Sequence, residues 1–310
     1  MYGPIGFRSG CRDAGRERGR SGLRSADRGV AERRVAGRGV ADGDVVRMDA
    51  VVTRLRAAGC VFAEEEAQLL LAQASDPAEL GSMVDRRVAG EPLELVLGWA
   101  EFAGLRIGVA PGVFVPRRRT EHLVQVARAL LAPDEVVVDL CCGAGAVGAA
   151  LADGLAGRLE LHASDVDPVA TDCARRNLAG LIAERKAFVY TGDLDMPLPE
   201  RLAGRVSVLT ANVPYVPTAE IEYLPSEARE YEPLVALDGG SDGLDVLRRV
   251  AACAPRWLRP GGHVLIEISD RQEGAAVEAF RDAGLEAAVH ESDEDEYPTY
   301  VLVGRRTGSA

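Results

Sequence analysis

The sequence predicts an α/β protein, a mostly parallel sheet with a smaller helical segment ahead of it, and three observations carry that expectation. From Glu135 onward, short apolar runs alternate with amphipathic helical ones, the pattern that builds a parallel sheet covered on both faces. The last two strand-like runs, LEAAVHES and TYVLVGRR, are joined by a loop too short for a crossover helix, so they should pair antiparallel at one sheet edge. Between Met48 and Gly90, apolar residues instead recur three and four apart, with Gly59 and Gly90 as helix stops.

A chain of 310 residues exceeds the usual single compact domain, which favours one large domain plus a smaller one. Residues 1–47 carry eleven Arg against six acidic residues, so a formal charge of -12 overall leaves -17 on residues 48–310. A folded part this acidic lacks the basic face of a nucleic-acid binder, and no partner of that kind is expected. The six cysteines include no C-x-x-C pair, so neither a zinc site nor a disulfide framework is indicated and no metal is expected. No apolar run reaches the roughly 18 residues of a membrane span. A monomeric cytoplasmic protein is the expectation.

Residues 1–47 are rich in Arg and Gly, poor in large apolar residues and without periodicity, a composition that cannot bury a core. Asp13, Glu17, Asp27 and Glu32 argue against a transit peptide, which would be acid-poor. A disordered extension is expected, with Met48 as a candidate for the true start. The expected division is then a small helical domain over 48–92, a β-hairpin linker over 93–118 that turns at Pro111-Gly112, and the sheet domain over 119–310. Along the sheet domain the strands are EVVVDL, LELHASD, KAFVYTGD, VSVLTAN and HVLIEIS, followed by the terminal pair. His122, His162, His263 and His290 show no ligand spacing and are expected on surfaces or strand ends, and ESDEDEY reads as a solvated acidic loop.

The chemistry concentrates at two strand ends. VVVDLCCGAGAVG is a strand, then Gly143-x-Gly145-x-x-Gly148, then a helix, which lets backbone approach a ligand closely at a helix N-terminus. Asp165, some 20 residues on, is placed to accept ribose hydroxyls. NAD, FAD and S-adenosylmethionine all carry adenosine, and the motif alone does not choose among them. Asp139, ahead of the glycines, suits a cationic amino-acid group better than a pyrophosphate. Asn212-Val213-Pro214-Tyr215 follows the fourth strand at its carboxyl end, where such sheets bind ligands. An amide nitrogen is a poor nucleophile, and two acceptors aimed at its N–H bonds would favour the pyramidal, reactive form. Asn212 offers a side-chain oxygen, Val213 a carbonyl directed by Pro214, and Tyr215 a flat surface for a planar group. An Asn-x-Pro turn with a packed Tyr is the ordinary structural alternative.

Read together, EPLELVLGWAEFAGLRIGVAPGVFVPRRRTEHLV, VVDLCCGAGAVGAALA, ASDVDPVATDCARRN, GDLDMPLP, ANVPYVP, YEPLVALDGGSDGLDVLRRV and LRPGGHVLIEIS resemble the protein-(glutamine-N5) methyltransferases, in the family's order from about Glu91 to Arg306. The resemblance implies a class I S-adenosylmethionine-dependent methyltransferase fold, Rossmann-like, with a seven-stranded sheet and terminal antiparallel pair. It implies that Asp139, Cys141, Gly143 and Gly145 hold the methionine part of the cofactor, that Asp165 takes the ribose, and that Asp193 and Leu194 lie along the adenine. It also implies that Asn212, Val213, Pro214 and Tyr215 hold the substrate amide, with Phe102, Arg117 and Thr120 closing over it. The implied substrate is the Gly-Gly-Gln glutamine of peptide-chain release factors, and the implied reaction is in-line transfer of the sulfonium methyl to nitrogen.

Three departures stand out. Val213 replaces the first proline of the family's Asn-Pro-Pro-Tyr, and PRRRTE replaces Pro-Arg-Pro-x-Thr-Glu, adding Arg118 and Arg119 at the expected mouth. The helical segment is also shorter than the family's substrate-recognition domain. Another amide or an exocyclic amine, on a ribosomal protein, an adenine or a small molecule, is the alternative acceptor, and a NAD-dependent oxidoreductase is the alternative class.

Overall fold

The computed structural model describes residues 42–292 and 298–308. Of the extension expected over residues 1–47, residues 1–41 lie outside them, as does most of the ESDEDEY run. Four helices come first: α1 (Asp42–Ala57), α2 (Ala63–Gln73), α3 (Pro77–Val88) and α4 (Leu93–Leu97). The first starts six residues before Met48, inside the stretch whose composition predicted an extension. Asp76 starts α3 by accepting from the amides of Ala78 and Glu79, with Pro77 at the first helical position. Val51, Leu55, Ala67, Leu70, Met83 and Val84 give these helices a core of their own.

The range 93–118 opens with a helix rather than a strand. Leu95 of α4 packs into the sheet core while Val96 and Leu97 pack into the helical one. The hairpin itself is β1 (Trp99–Phe102) and β2 (Leu105–Gly108), which turns at Ala103-Gly104, not at Pro111-Gly112. Phe102 pairs with Leu105, leaving a two-residue loop whose φ values, 51° and 78°, are those of a type I′ turn and match the strand twist. Pro111-Gly112 makes a separate turn, closed by the amide of Val113 on the carbonyl of Ala110.

The sheet domain runs α5 (Glu121–Ala129), β3 (Glu135–Leu140), α6 (Ala146–Gly154), β4 (Leu159–Asp165), α7 (Pro168–Asn177), α8 (Ala179–Ala183), β5 (Ala187–Thr191), β6 (Val206–Ala211), α9 (Ser226–Tyr231), α10 (Asp245–Trp257), β7 (Leu258–Ile268), α11 (Glu273–Asp282), β8 (Leu285–Glu291) and β9 (Tyr300–Arg306). Seven strands lie in the order β5-β4-β3-β6-β7-β9-β8. The first five are parallel, and β9 pairs antiparallel with both β7 and β8. The strand reversal β4-β3-β6 puts the carboxyl ends of β3 and β6 side by side, and ligands of open α/β sheets bind at such a switch point.

Burial follows the two-residue period of each strand. Val137 faces the helices α5–α7 in one core, whereas Val136, Val138 and Leu140 face α10 and α11 in the other. His162 corrects the expectation of a surface histidine. It is fully buried in β4, with Nε2 2.9 Å from Glu160, Nδ1 2.9 Å from the Tyr190 hydroxyl, and its ring stacked 4.9 Å from Phe188. Burial lowers its pKa, so the neutral ring is the form that packs there.

Candidate active site

A cleft of about 430 Å³ opens at the carboxyl ends of β3, β4, β5 and β6. That volume lies in the range of small-molecule sites. One end is made by backbone geometry. Cys141 leaves β3 at φ 53°, and Gly143 and Gly145 follow at 53° and 77°, so the chain doubles back before α6 begins. The amide of Cys142 donates to Ser164 on β4 and the amide of Gly143 to Asp165 Oδ2 at 2.8 Å, which ties the loop to the neighbouring strand. Gly148 lets α6 sit against the sheet, since a Cβ there would lie 2.8 Å from Leu161.

Two carboxylates face this end. Asp139 is 1% exposed; its oxygens accept from Thr210 Oγ1 at 2.9 Å and from the amide of Gly148 at 3.2 Å. Burial pushes its pKa up to about 7 despite those bonds. Asp165 ends β4, and its oxygens accept from the amides of Gly143 and Asp167; burial raises its pKa too. Beyond them Leu194 adopts φ 46°, its carbonyl held by Ser164 Oγ at 2.7 Å, and Asp193 pairs with Arg249 of α10 at 2.6 Å.

At the other end, β6 releases Asn212-Val213-Pro214-Tyr215. Val213 and Pro214 are buried, whereas Asn212 and Tyr215 are partly exposed. Val213 packs among the core residues on the α10 side of the sheet, which explains how an aliphatic residue occupies this position. The Asn212 side chain has no hydrogen-bond partner among the described residues and lines the cleft. The loop is held from behind. Gln272 donates to the carbonyl of Tyr215 at 2.9 Å, Val216 pairs with the Leu237–Gly239 segment, and Thr218 donates to Gly240. The segment approaches so closely that a Cβ on Gly243 would lie 2.2 Å from the Tyr215 carbonyl.

The roof comes from the hairpin side. Phe102 is fully buried beneath it, and Phe114 stacks under the Arg117 guanidinium at 5.1 Å. Thr120 donates to buried Glu267 at 2.7 Å, and Arg119 pairs with the same carboxylate at 2.8 Å while lying 5.2 Å over the Tyr215 ring. Arg119 is therefore tied into the site, at the mouth where the sequence placed it; Arg118 is exposed.

Phe102, Arg117, Thr120, Asp139, Cys141, Gly143, Asp165, Asp193, Leu194 and the Asn212–Tyr215 loop all line one cleft. Gly145 does not. It caps α6 against α7, where a Cβ would meet Ala174 at 3.1 Å, so its role is packing. Sequence reasoning missed Phe114, Val235, Leu237, Val246 and Arg249, which also line the cleft. Only the YEPLVALDGGSDG block hinted that this segment returns to the site.

Comparison with known proteins agrees at two levels. The Methyltransferase small domain family matches residues 105–218, from the second hairpin strand to just past the Asn212 loop. With the seven-stranded sheet, this makes the protein a class I methyltransferase. A release factor glutamine methyltransferase of Mycolicibacterium smegmatis is 37% identical over 256 residues, covering 76% of this chain and 88% of that one. Its counterpart in Moorella thermoacetica is 35% identical over 261 residues, covering 83% and 89%. One from Streptomyces coelicolor is 37% identical over 196 residues, covering 62% and 68%. The chain belongs to the release factor glutamine methyltransferase family.

Proposed function

We propose that this protein transfers a methyl group from S-adenosylmethionine to the side-chain amide nitrogen, N5, of a glutamine in a peptide-chain release factor. The observation that carries this reading is the unpartnered Asn212 amide lining the same cleft as the Asp139 and Asp165 carboxylates. The cofactor's chemistry fits the residues present. Asp139 and the Cys141–Gly143 turn would hold its cationic amino-acid part, Asp165 would accept its ribose hydroxyls, and Leu194 and Val246 would flank its base. A diphosphate would instead meet two carboxylates at this end, which disfavours the oxidoreductase alternative.

When bound, S-adenosylmethionine supplies a sulfonium-activated methyl electrophile. The chain's own residues prepare the nucleophile. Asn212 Oδ1 and the Val213 carbonyl accept the two N–H bonds of the substrate amide, drawing the nitrogen out of conjugation so that its lone pair points along the cleft. Both acceptors gain strength as positive charge develops on nitrogen. Tyr215 supports the plane of the amide, and Arg119 fixes the Tyr215 ring.

The test is incubation of the full chain with S-adenosylmethionine and the release factors of the same organism, followed by peptide mass spectrometry. One added methyl group on a single glutamine is expected. Transfer to no release factor, with S-adenosylhomocysteine still bound tightly, would redirect the chain to another amide or amine.

A further inference from the structure

A second cleft, of about 320 Å³, opens between the helical segment and the sheet domain and meets the first at Arg117, which lines both. Its charge is one-sided, with five glutamates against two arginines. Both arginines are already engaged. Arg87 spends its guanidinium on Glu66 and Glu227, each at 2.7 Å, and Arg117 donates to Glu232 Oε1 at 2.5 Å. Glu65 and Glu94 have no partner among the described residues. The decisive group is Glu232. Its side chain is 1% exposed, yet its second oxygen, Oε2, is buried with no donor in hydrogen-bond geometry among the described residues, the Val115 amide being the nearby backbone N–H that favours its charged form. Burial raises its pKa, offset by Arg117 and then by the nearby backbone amide of Val115, and the neighbouring Glu94 raises it further.

A buried carboxylate oxygen without a donor costs free energy unless a ligand supplies one. No three acidic residues converge as a metal ion would require among the described residues. The remaining wall is apolar, from Phe62, Leu69 and Leu93, and Phe62 is 66% exposed. A planar guanidinium on a methylene stem matches both halves of such a site, donating to two carboxylates while its stem covers apolar surface.

Resting on the function proposed above, we propose that this cleft is a subsite for an arginine side chain of the protein substrate, near in space to the glutamine being methylated, with Glu232 and Glu94 as its ligands. Arg117 then separates the two clefts and sets the distance between arginine and glutamine. The subsite takes part in substrate choice and leaves the methyl-transfer step to the Asn212 loop.

The experiment measures methyl transfer to the release factor by the full chain and by Glu232→Gln and Glu94→Gln. Each variant is expected to raise KM for the protein substrate about tenfold with kcat held and S-adenosylhomocysteine affinity unchanged, a tenfold step being the usual scale for a charge-assisted bond. Changing one surface arginine of the substrate to alanine should reproduce the loss and add nothing to it in Glu232→Gln. Wild-type KM in both variants, or additive losses for every substrate arginine, overturns the subsite. Glu94 is only partly buried, so its variant keeps the test valid should Glu232→Gln fold poorly. A second readout needs no methyl acceptor. N-acetylarginine amide, titrated into the protein by NMR, should bind saturably to the wild type and about tenfold more weakly to Glu94→Gln. Absence of transfer by the wild type with arginine amide still bound refutes the release-factor reading alone; absence of arginine binding refutes the subsite.

Discussion

The two ends of the active-site cleft are built by different means. The cofactor end is local: a strand, a turn of left-handed residues and a helix, all within Glu135–Gly154, tied to the neighbouring strand through Ser164 and Asp165. The acceptor end is assembled from afar. Asn212–Tyr215 is shaped by Leu237–Gly240, Gly243 and Gln272, and by Arg119 from the other side of the sheet. The contrast suggests that the cofactor end can keep its shape when the acceptor end is disturbed, and substitutions can test that separation.

The largest effect is expected from Asn212→Ala. Removing the acceptor that polarises the substrate amide should lower kcat by about a hundredfold or more, the scale of one lost preorganised hydrogen-bond partner. Isothermal titration with S-adenosylhomocysteine should give an unchanged Kd. A parallel loss of cofactor affinity would break the division between the ends.

Gly243→Ala probes the same end from behind. The added methyl must displace the Tyr215 carbonyl or Gln272, and Gly243 sits at φ 76°, which disfavours a side chain. About a tenfold loss of kcat is expected, because small misplacements are costly near reacting atoms. Single-turnover kinetics beside the cofactor Kd would locate the damage. Equal loss in both would mean that the two ends share a support.

From the opposite end, Asp165→Ala should weaken S-adenosylhomocysteine binding by about tenfold, as expected when a charged acceptor is lost. At saturating cofactor the transfer rate should stay near that of the wild type. Unchanged affinity would show that the ribose is held elsewhere.

The smallest effect is a pH dependence at Asp139. Its pKa of about 7 in the folded protein lies above the usual aspartate range, so the folded state holds that proton more tightly than the unfolded chain does. Its contribution to stability is greatest below the unfolded pKa and falls as pH rises toward about 7. Cofactor binding runs the other way, because the ammonium group of the ligand's amino-acid part favours the ionised carboxylate. Affinity for S-adenosylhomocysteine should rise several-fold between about pH 6 and 8 by this linkage, and Asp139→Asn should flatten the profile.

The same division governs what the sequence could reveal. The β3–α6 turn was legible because glycine spacing, strand and helix lie within twenty residues and a single conformational requirement explains them. Asn212 was legible for its chemistry. The residues that hold its loop were not, because Gln272 and Gly243 carry no local signal and meet Tyr215 only through the sheet topology. The hairpin shows a local misreading of the same kind. Pro-Gly is the stronger turn dipeptide, yet strand pairing placed the reversal at Ala103-Gly104, where a non-glycine residue accepts φ 51°. His162 was misjudged because nothing in its neighbours announces that Glu160 and Tyr190 will satisfy both ring nitrogens.

The bond from Gln272 to the Tyr215 carbonyl links two points 57 residues apart in the chain. During synthesis the glycine turn, Asp139 and Asp165 emerge long before Gln272 does, and domains organise from the N-terminal side as they appear. A ribosome-bound chain that has exposed everything through β6 thus has the residues of the cofactor end but lacks the brace that sets Asn212. Competence to methylate arrives only with the residues after β7, so an unfinished copy has no completed acceptor end with which to act.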